Sequence, residues 1–280
     1  MRNSLNKDYI ERLKRYDADR FFLTAFVKNK VQEKLLALYC FNYELSKIFE
    51  TVSEPMVGQI RFQWWWDFIE ALYDEEKRQN KAYSEHPLFE LMLDISKKTS
   101  KEEMQNLIEG HEFSLEPQPP KDTDELKQIL DRRSGTLFLI ASKVEEIDLD
   151  KVLALRIGRL WGLVGIIRSV PYHAKQGKIY IPTFLFQKYL SQDDAGVLDL
   201  KPESQEFVQI IKELYDVAME EYFELQAQRS KFKKSHLKLY VDLAGYYLKD
   251  IKAKNFQAFD ERLKNRPLFS ELKIFFKSML

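Results

Sequence analysis

Apolar residues recur at i, i+3, i+4 and i+7 in most windows of this chain, and strict apolar–polar alternation is rare. The pattern predicts an all-α fold. Helices are expected over roughly 8–26, 30–53, 56–79, 86–97, 101–115, 122–145, 148–174, 183–190, 203–229, 234–253, 255–265 and 267–279. One break stands out, EPQPPKDTD at residues 116–124, where clustered prolines stop one helix and Asp122, Thr123 and Asp124 offer caps for the next. Composition does not change across it, and no fixed-period repeat or low-complexity segment occurs. Residues 1–280 therefore read as one helical domain with an internal loop.

Two of the expected helices carry more than a core stripe. In helix 30–53, at about 100° per residue, Tyr39, Asn42, Tyr43, Ser46, Glu50 and Ser53 share one face, while Leu38, Phe41, Leu45, Ile48 and Val52 share another. The polar, aromatic face fits either a solvated surface or the wall of a pocket. In the next helix, Phe62, Trp65, Trp66, Ile69, Leu72 and Tyr73 form a stripe expected to be core, because large aromatics supply much of the burial in a bundle.

In helix 148–174, Gly158, Gly162, Gly165, Ser169 and His173 fall within about 80° of one another. A glycine inside a helix costs about 0.5–1 kcal/mol relative to alanine, so a row of three asks for a reason. Close approach of a neighbouring backbone is one reason, and a thin channel wall for a long apolar ligand is the other. The helix ends in Arg168, Ser169, Pro171, Tyr172 and His173, followed by Lys175, Lys178 and Tyr180. Pro171 predicts a kink or an end there. The cations fit an anion such as phosphate, and equally a solvated C-terminal turn that complements the helix dipole.

Composition removes several classes of function. Lys plus Arg equals Asp plus Glu, 44 of each, so no bulk positive field draws the chain to nucleic acid. The single cysteine, Cys40, lies in an apolar run, which rules out an internal disulfide framework and reads as a buried thiol in a reducing compartment. No window approaches the ~18 uninterrupted apolar residues that span a bilayer, and the N-terminus has no apolar targeting core. A cytoplasmic protein is expected, touching a membrane at most peripherally. The basic, aromatic stretch KFKKSHLKLY is either a surface for such contact or an ordinary charged helix end.

The stretches YDADRFFLTAFVKNKVQEKLLALYCFNYELSKIFETVSEPMVGQIRFQWWWD, LIEGHEFSLEPQP, RRSGTLFLIASKV and GLVGIIRSVPYHAKQGKIYIP resemble the squalene/phytoene synthase family. The resemblance runs from about residue 16 to about residue 190 and implies the all-α isoprenoid-synthase fold. It also implies two Asp-rich motifs on facing helices, whose carboxylates hold the Mg²⁺ ions that ionise prenyl diphosphates. Aligned on Leu38, Tyr39 and Phe41, the first Asp pair falls on Ser46 and Lys47, with Glu50 in the place of the last Asp. Aligned on Arg168, Gly177, Lys178, Tyr180 and Pro182, the second pair falls on Ser169 and His173.

A branch of that family associated with the assembly of respiratory complex I is a better match. There the Asp motifs are absent and Arg-x-x-Pro-Tyr-His stands in the second motif, as Arg168, Pro171, Tyr172 and His173 do here; Phe41, Asn42, Glu44 and Leu45 match its first motif. The resemblance implies a catalytically inactive protein that acts by binding, with a complex I subunit or assembly intermediate as partner and no cofactor. Two alternatives stay open. One is an active prenyl transferase whose reduced metal site of Glu44, Glu50 and His173 would need Mg²⁺. The other is a metal-free binder of a prenyl diphosphate or anionic lipid, with Lys47, Arg168, His173 and Lys178 converging on one cavity and the glycine face taking the chain.

Overall fold

In a computed structural model that describes residues 5–52, 54–115, 118–190 and 204–279, the chain is all-α, and no strand occurs among those residues. The helices, in chain order, are α1 (Lys7–Tyr16), α2 (Ala18–Thr24), α3 (Asn29–Thr51), α4 (Pro55–Tyr73), α5 (Lys81–Ser84), α6 (Phe89–Ser96) and α7 (Lys101–Glu112). They continue with α8 (Thr123–Leu130), α9 (Thr136–Val144), α10 (Lys151–Lys175), α11 (Thr183–Tyr189), α12 (Gln205–Ala227), α13 (Leu237–Ala253) and α14 (Ser270–Ser278). One connected apolar core runs through α3, α4, α9, α10, α12 and α13.

Local chemistry explains where these helices begin. Ser100 and Glu103 form a reciprocal capping box on α7. Asp122, one of the expected caps, accepts a hydrogen bond from Glu125 N at 2.9 Å and opens α8. The α4 stripe packs inward: Phe62, Trp65, Ile69 and Leu72 are buried, while the half-buried Trp66 and Tyr73 place their polar tips on Glu112 (2.8 Å) and Thr99 O (3.1 Å).

Several expected boundaries move. Helix 8–26 breaks at Asp17, which leaves helical geometry to cap α2 through Arg20 N. Helix 255–265 does not form, because Asn255 and Phe256 adopt left-handed backbone at φ 51° and 61°, and only a short 3₁₀ turn follows at Glu261–Lys264. Helix 122–145 is interrupted by a π-helical turn, Asp131–Gly135. Of the kink or end expected at Pro171, the end does not occur, since α10 runs on through it to Lys175, one residue past the expected 174. Ser53, position 203 and part of the 116–124 break lie outside the described residues.

The π turn accounts for two of the three glycines on α10. A Cβ on Gly158 would lie 2.3 Å from Ser134 O and 2.4 Å from Gly135 Cα, so the two backbones touch at this point. A Cβ on Gly162 would meet Leu130 Cδ2 at 2.6 Å. Close packing, and not a channel wall, explains both. Gly165 differs, with nothing within 4 Å of its added Cβ. The contact is clamped by Arg159, whose guanidinium donates to both oxygens of Asp131 (2.9 and 2.7 Å) and to Glu221 Oε1 (2.8 Å), tying the π turn and α12 to α10.

Opposite outcomes are expected for two alanine substitutions on one helix face. Gly158→Ala must force two backbones apart and should lower unfolding stability by about 3 kcal/mol or more, whereas Gly165→Ala should raise it by about 0.5–1 kcal/mol. Urea unfolding of both variants beside the parent chain measures the contrast.

Candidate functional site

The α1–α2 corner, α3, α7, the π turn and α10 enclose a cavity of about 430 Å³. Its wall is polar: Arg15, Arg20, Lys47 and Arg133 supply four cations, and Asp17 and Glu50 supply two carboxylates. It adjoins a second lobe of about 850 Å³ between the α1–α2 corner, α10 and residues 264–266, and a groove of about 790 Å³ between α1, α3 and α4. Arg15 and Tyr16 line all three, so they stand at the junction. A separate, mainly apolar cavity of about 110 Å³ lies between the end of α10, α11 and α12.

From α3, Asn42, Tyr43, Ser46, Lys47 and Glu50 line the central cavity. Tyr43 stacks on Tyr16 with ring centroids 5.4 Å apart, and Ser46 donates to Tyr43 O at 2.8 Å. Lys47 pairs with Glu50 and lies 4.6 Å from the Tyr16 ring. Tyr39 is not on this wall: it is fully buried, with its hydroxyl 3.1 Å from His236 Nε2. The His236 Nδ1 in turn lies 2.8 Å from Glu145, so Tyr39 belongs to a buried polar chain in the core.

From α10, Ser169 and Tyr172 line both the central cavity and the second lobe. Tyr172 and Glu50 line the same cavity from the two motif helices, and burial together with the nearby Glu50 carboxylate raises the Tyr172 phenol above its ordinary pKa. Gly165 lines the second lobe, whereas Gly158 and Gly162 lie behind it against the π turn and Leu130. Arg168 is committed to structure: it donates to Leu263 O (3.1 Å) and to Asp19 (3.2 Å), with its guanidinium carbon 3.5 Å from the Tyr247 ring centroid.

His173, Lys178 and Tyr180 line the small apolar cavity instead. The rings of His173 and Tyr180 meet edge-on at 4.7 Å, and the Lys178 ammonium lies 4.4 Å from the Phe49 ring. Burial, assisted by Arg133, pushes the His173 imidazole down to about 4. The expected convergence of Lys47, Arg168, His173 and Lys178 therefore does not occur. Lys47 and Arg168 line the adjoining polar lobes, while His173 and Lys178 line the separate apolar cavity, because the 178–181 segment folds over the end of α10 beside His173.

A metal cage is not formed either. Glu44 pairs with Arg12 at 3.5 Å, Glu50 is held by Lys47, and His173 is in another cavity. Among the described residues no group of three or more His, Cys, Asp or Glu side chains is placed to hold a metal ion. The residues present do not fit the Mg²⁺ set that the family resemblance implies, since a hard divalent ion needs several oxygen ligands.

The cavity is completed by residues the sequence pattern did not single out. His111 on α7 is buried, and its Nε2 donates to Asn42 Oδ1 at 3.0 Å, leaving Nδ1 an acceptor with no hydrogen-bond partner. Burial first, then Arg133 and Arg20, hold His111 well below its ordinary pKa, so it is neutral. Arg20 pairs with Asp17 at 2.5 Å, and its buried Nε likewise has no partner. Arg20, His111 and Arg133 lie in the family-like stretches and Arg15 just before the first of them, but one basic residue on an amphipathic helix looks like a solvated one until its neighbours are in place.

A polar cavity between two long helices, in an all-α bundle of this topology, defines an isoprenoid-synthase type of protein. The sequence profile of the squalene/phytoene synthase family matches residues 13–269, and the chain belongs to that family. It is 24% identical to mouse NADH dehydrogenase (ubiquinone) complex I, assembly factor 6, over 96% of this chain and 80% of that protein; the human protein of the same name is 23% identical with the same coverage. A dehydrosqualene synthase crystal structure superposes with a TM-score of 0.72 over 97% of this chain and 94% of that one, at 14% identity. Squalene synthase HpnC from Alicyclobacillus acidocaldarius gives 0.68 over 89% and 94%, at 15% identity. At these identities the two structures establish the fold.

The neutral imidazoles give the protein a definite response to acid. The unfolded chain takes up protons at His173 near its ordinary pKa of about 6.5, while the folded chain resists until about 4, so stability is full above about pH 6.5 and falls as pH drops towards 4. Between pH 7 and pH 5 this one group is expected to cost about 1–2 kcal/mol after allowing for its partial exposure. The urea midpoint should fall accordingly, and His173→Phe should shrink that fall.

Proposed function

We propose that this protein works by binding and not by prenyl transfer, and that it serves the assembly of respiratory complex I. The observation that carries this reading is the replacement of carboxylates on both helices facing the cavity, with Ser46 and Lys47 on α3 and Ser169 and His173 on α10. Ionising a prenyl diphosphate develops negative charge that carboxylate-held divalent cations must neutralise. Here the ammonium of Lys47 occupies the carboxylate position and repels such an ion, and His173 is withdrawn into an apolar cavity. The assembly role is supported by relatives named complex I assembly factor 6, aligned across nearly the whole chain.

Incubated with farnesyl diphosphate and Mg²⁺, the purified chain is expected to release no coupled prenyl product. Deleting its gene should lower the amount of assembled complex I on native gels, together with NADH-linked quinone reduction. A prenyl-coupled product would overturn the binding reading, and unchanged complex I in the deletion strain would overturn the assembly reading.

A second reading rests on the buried Arg20 Nε, a donor without a partner, in a cavity whose cations outnumber its acids. In this reading the central cavity takes an anionic headgroup, such as the diphosphate of a prenyl chain, directly on Arg20, Arg133 and Lys47 with no metal between. Calorimetric titration with farnesyl diphosphate in the presence of EDTA should then show binding that Arg133→Gln weakens by about tenfold or more. Absence of heat, or binding that the variant leaves unchanged, counts against it.

A further inference from the structure

Helix α14 is apolar on the side that faces water. Its inward face is Ser270 and Ile274, which are buried. On the opposite side Leu272, Phe275, Phe276 and Met279 share about 100° of the helix surface. They are 57%, 49%, 60% and 64% exposed, and the approach to the helix adds Leu268 at 79% and Phe269 at 63%. A surface helix ordinarily turns its polar residues outward, so this arrangement is inverted. A contiguous exposed patch of this kind marks a docking surface.

Phe269 sharpens the point. It is the N-cap residue of α14, where Ser, Asp, Asn or Gly serve best, and it makes no capping bond through its side chain. Its φ of 59° is left-handed, a conformation that a bulky residue rarely adopts. Neither capping, nor backbone geometry, nor core packing calls for a phenylalanine there. The helix is also held firmly on the body: Lys277 pairs with Asp242 at 2.5 Å, and Arg266 bonds Asp19 at 2.7 Å and pairs with Glu271. The apolar face is thus presented in a fixed orientation.

The charges around the patch indicate what it meets. On α14 the cation beside the apolar face is Lys273, which lies over the Tyr246 ring, while Lys264, Arg266 and Lys277 are paired with Glu261, with Asp19 and Glu271, and with Asp242. Arg229 and Lys277 meet on the same Asp242 carboxylate, which brings the turn bearing the exposed Lys231, Lys233 and Lys234 beside the end of α14. KFKKSHLKLY otherwise turns inward, with Phe232, Ser235, His236, Leu237, Leu239 and Tyr240 buried. A row of Phe and Leu flanked by lysines is the arrangement that seats a helix in the headgroup layer of an anionic bilayer. Among the described residues no helix is long and apolar enough to cross a membrane, so contact through these residues would be at the surface.

We propose that α14, with Leu268 and Phe269, is a membrane-docking face that inserts its apolar side chains into an anionic phospholipid surface while Lys273 and the exposed Lys231, Lys233 and Lys234 meet the headgroups. This goes beyond the assembly reading and holds or fails without it, because the test needs only the purified chain and lipid. The full-length protein is floated with vesicles of phosphatidylcholine alone and of phosphatidylcholine mixed with phosphatidylglycerol. Binding is expected to the anionic vesicles, to weaken with salt, and to drop by about tenfold or more in the double variant Phe275→Ser/Phe276→Ser. Lys273→Glu should weaken it less. Both phenylalanines are exposed, so the double variant should keep the parent thermal midpoint, which separates lost docking from lost folding. No binding to either vesicle, or equal binding by parent and double variant, overturns the proposal. A concentration-dependent dimer that the double variant abolishes, without vesicle binding, would overturn it by assigning the face to a second copy of this chain.

Discussion

The central cavity depends on how closely α10 approaches the π turn at Asp131–Gly135. Gly158 has no side chain to hold the backbones apart, and Gly135 has none on the other side of the contact. Arg159 then locks the approach by joining Asp131 and Glu221. With α10 drawn in, the extra residue of the π turn carries Arg133 and Ser134 into the space between α3 and α10. A regular helix through residues 131–135 would carry one residue fewer there and would turn those two side chains elsewhere.

What fills that space is a set of charges different from the one the family resemblance implies. Lys47 is neutralised locally by Glu50, Arg20 by Asp17, and His111 is kept neutral by burial beside two guanidiniums. The cavity is therefore polar and nearly self-compensated, with a modest positive excess and two buried atoms short of a partner. Such a place can hold an anion or a polar group from another molecule, while it gives a divalent cation few oxygen ligands. The opposite situation holds at the C-terminal end, where exposed aromatics and lysines lie together on one fixed helix.

Much of this architecture was legible in the sequence. The 3.6-residue period predicts the helices, the Asp122 cap begins α8 as expected, and the α4 stripe packs where its periodicity puts it. The row of glycines on α10 pointed to a close contact or a channel, and two of the three make the contact. The misplaced boundaries share a cause. Asp17, Phe256 and the π turn each break a periodic pattern that continues across them, because a few local backbone dihedrals end a helix without altering which residues are apolar.

The sequence by itself determined the class of fold and the helix faces, because these depend on residue type and on spacing within one helix, and its resemblance to the family implied the replacement of carboxylates in both motifs. Only the tertiary structure decided which charged side chains share a cavity. Ser169 and His173 are one helical turn apart on a single face, yet one lines the polar cavity and the other lies beside the 178–181 segment in an apolar one. Arg20, His111 and Arg133 are far apart in sequence and meet only when α2, α7 and the π turn pack together. Periodicity specifies the direction a side chain takes from its own helix, and the neighbouring helices determine what it meets there.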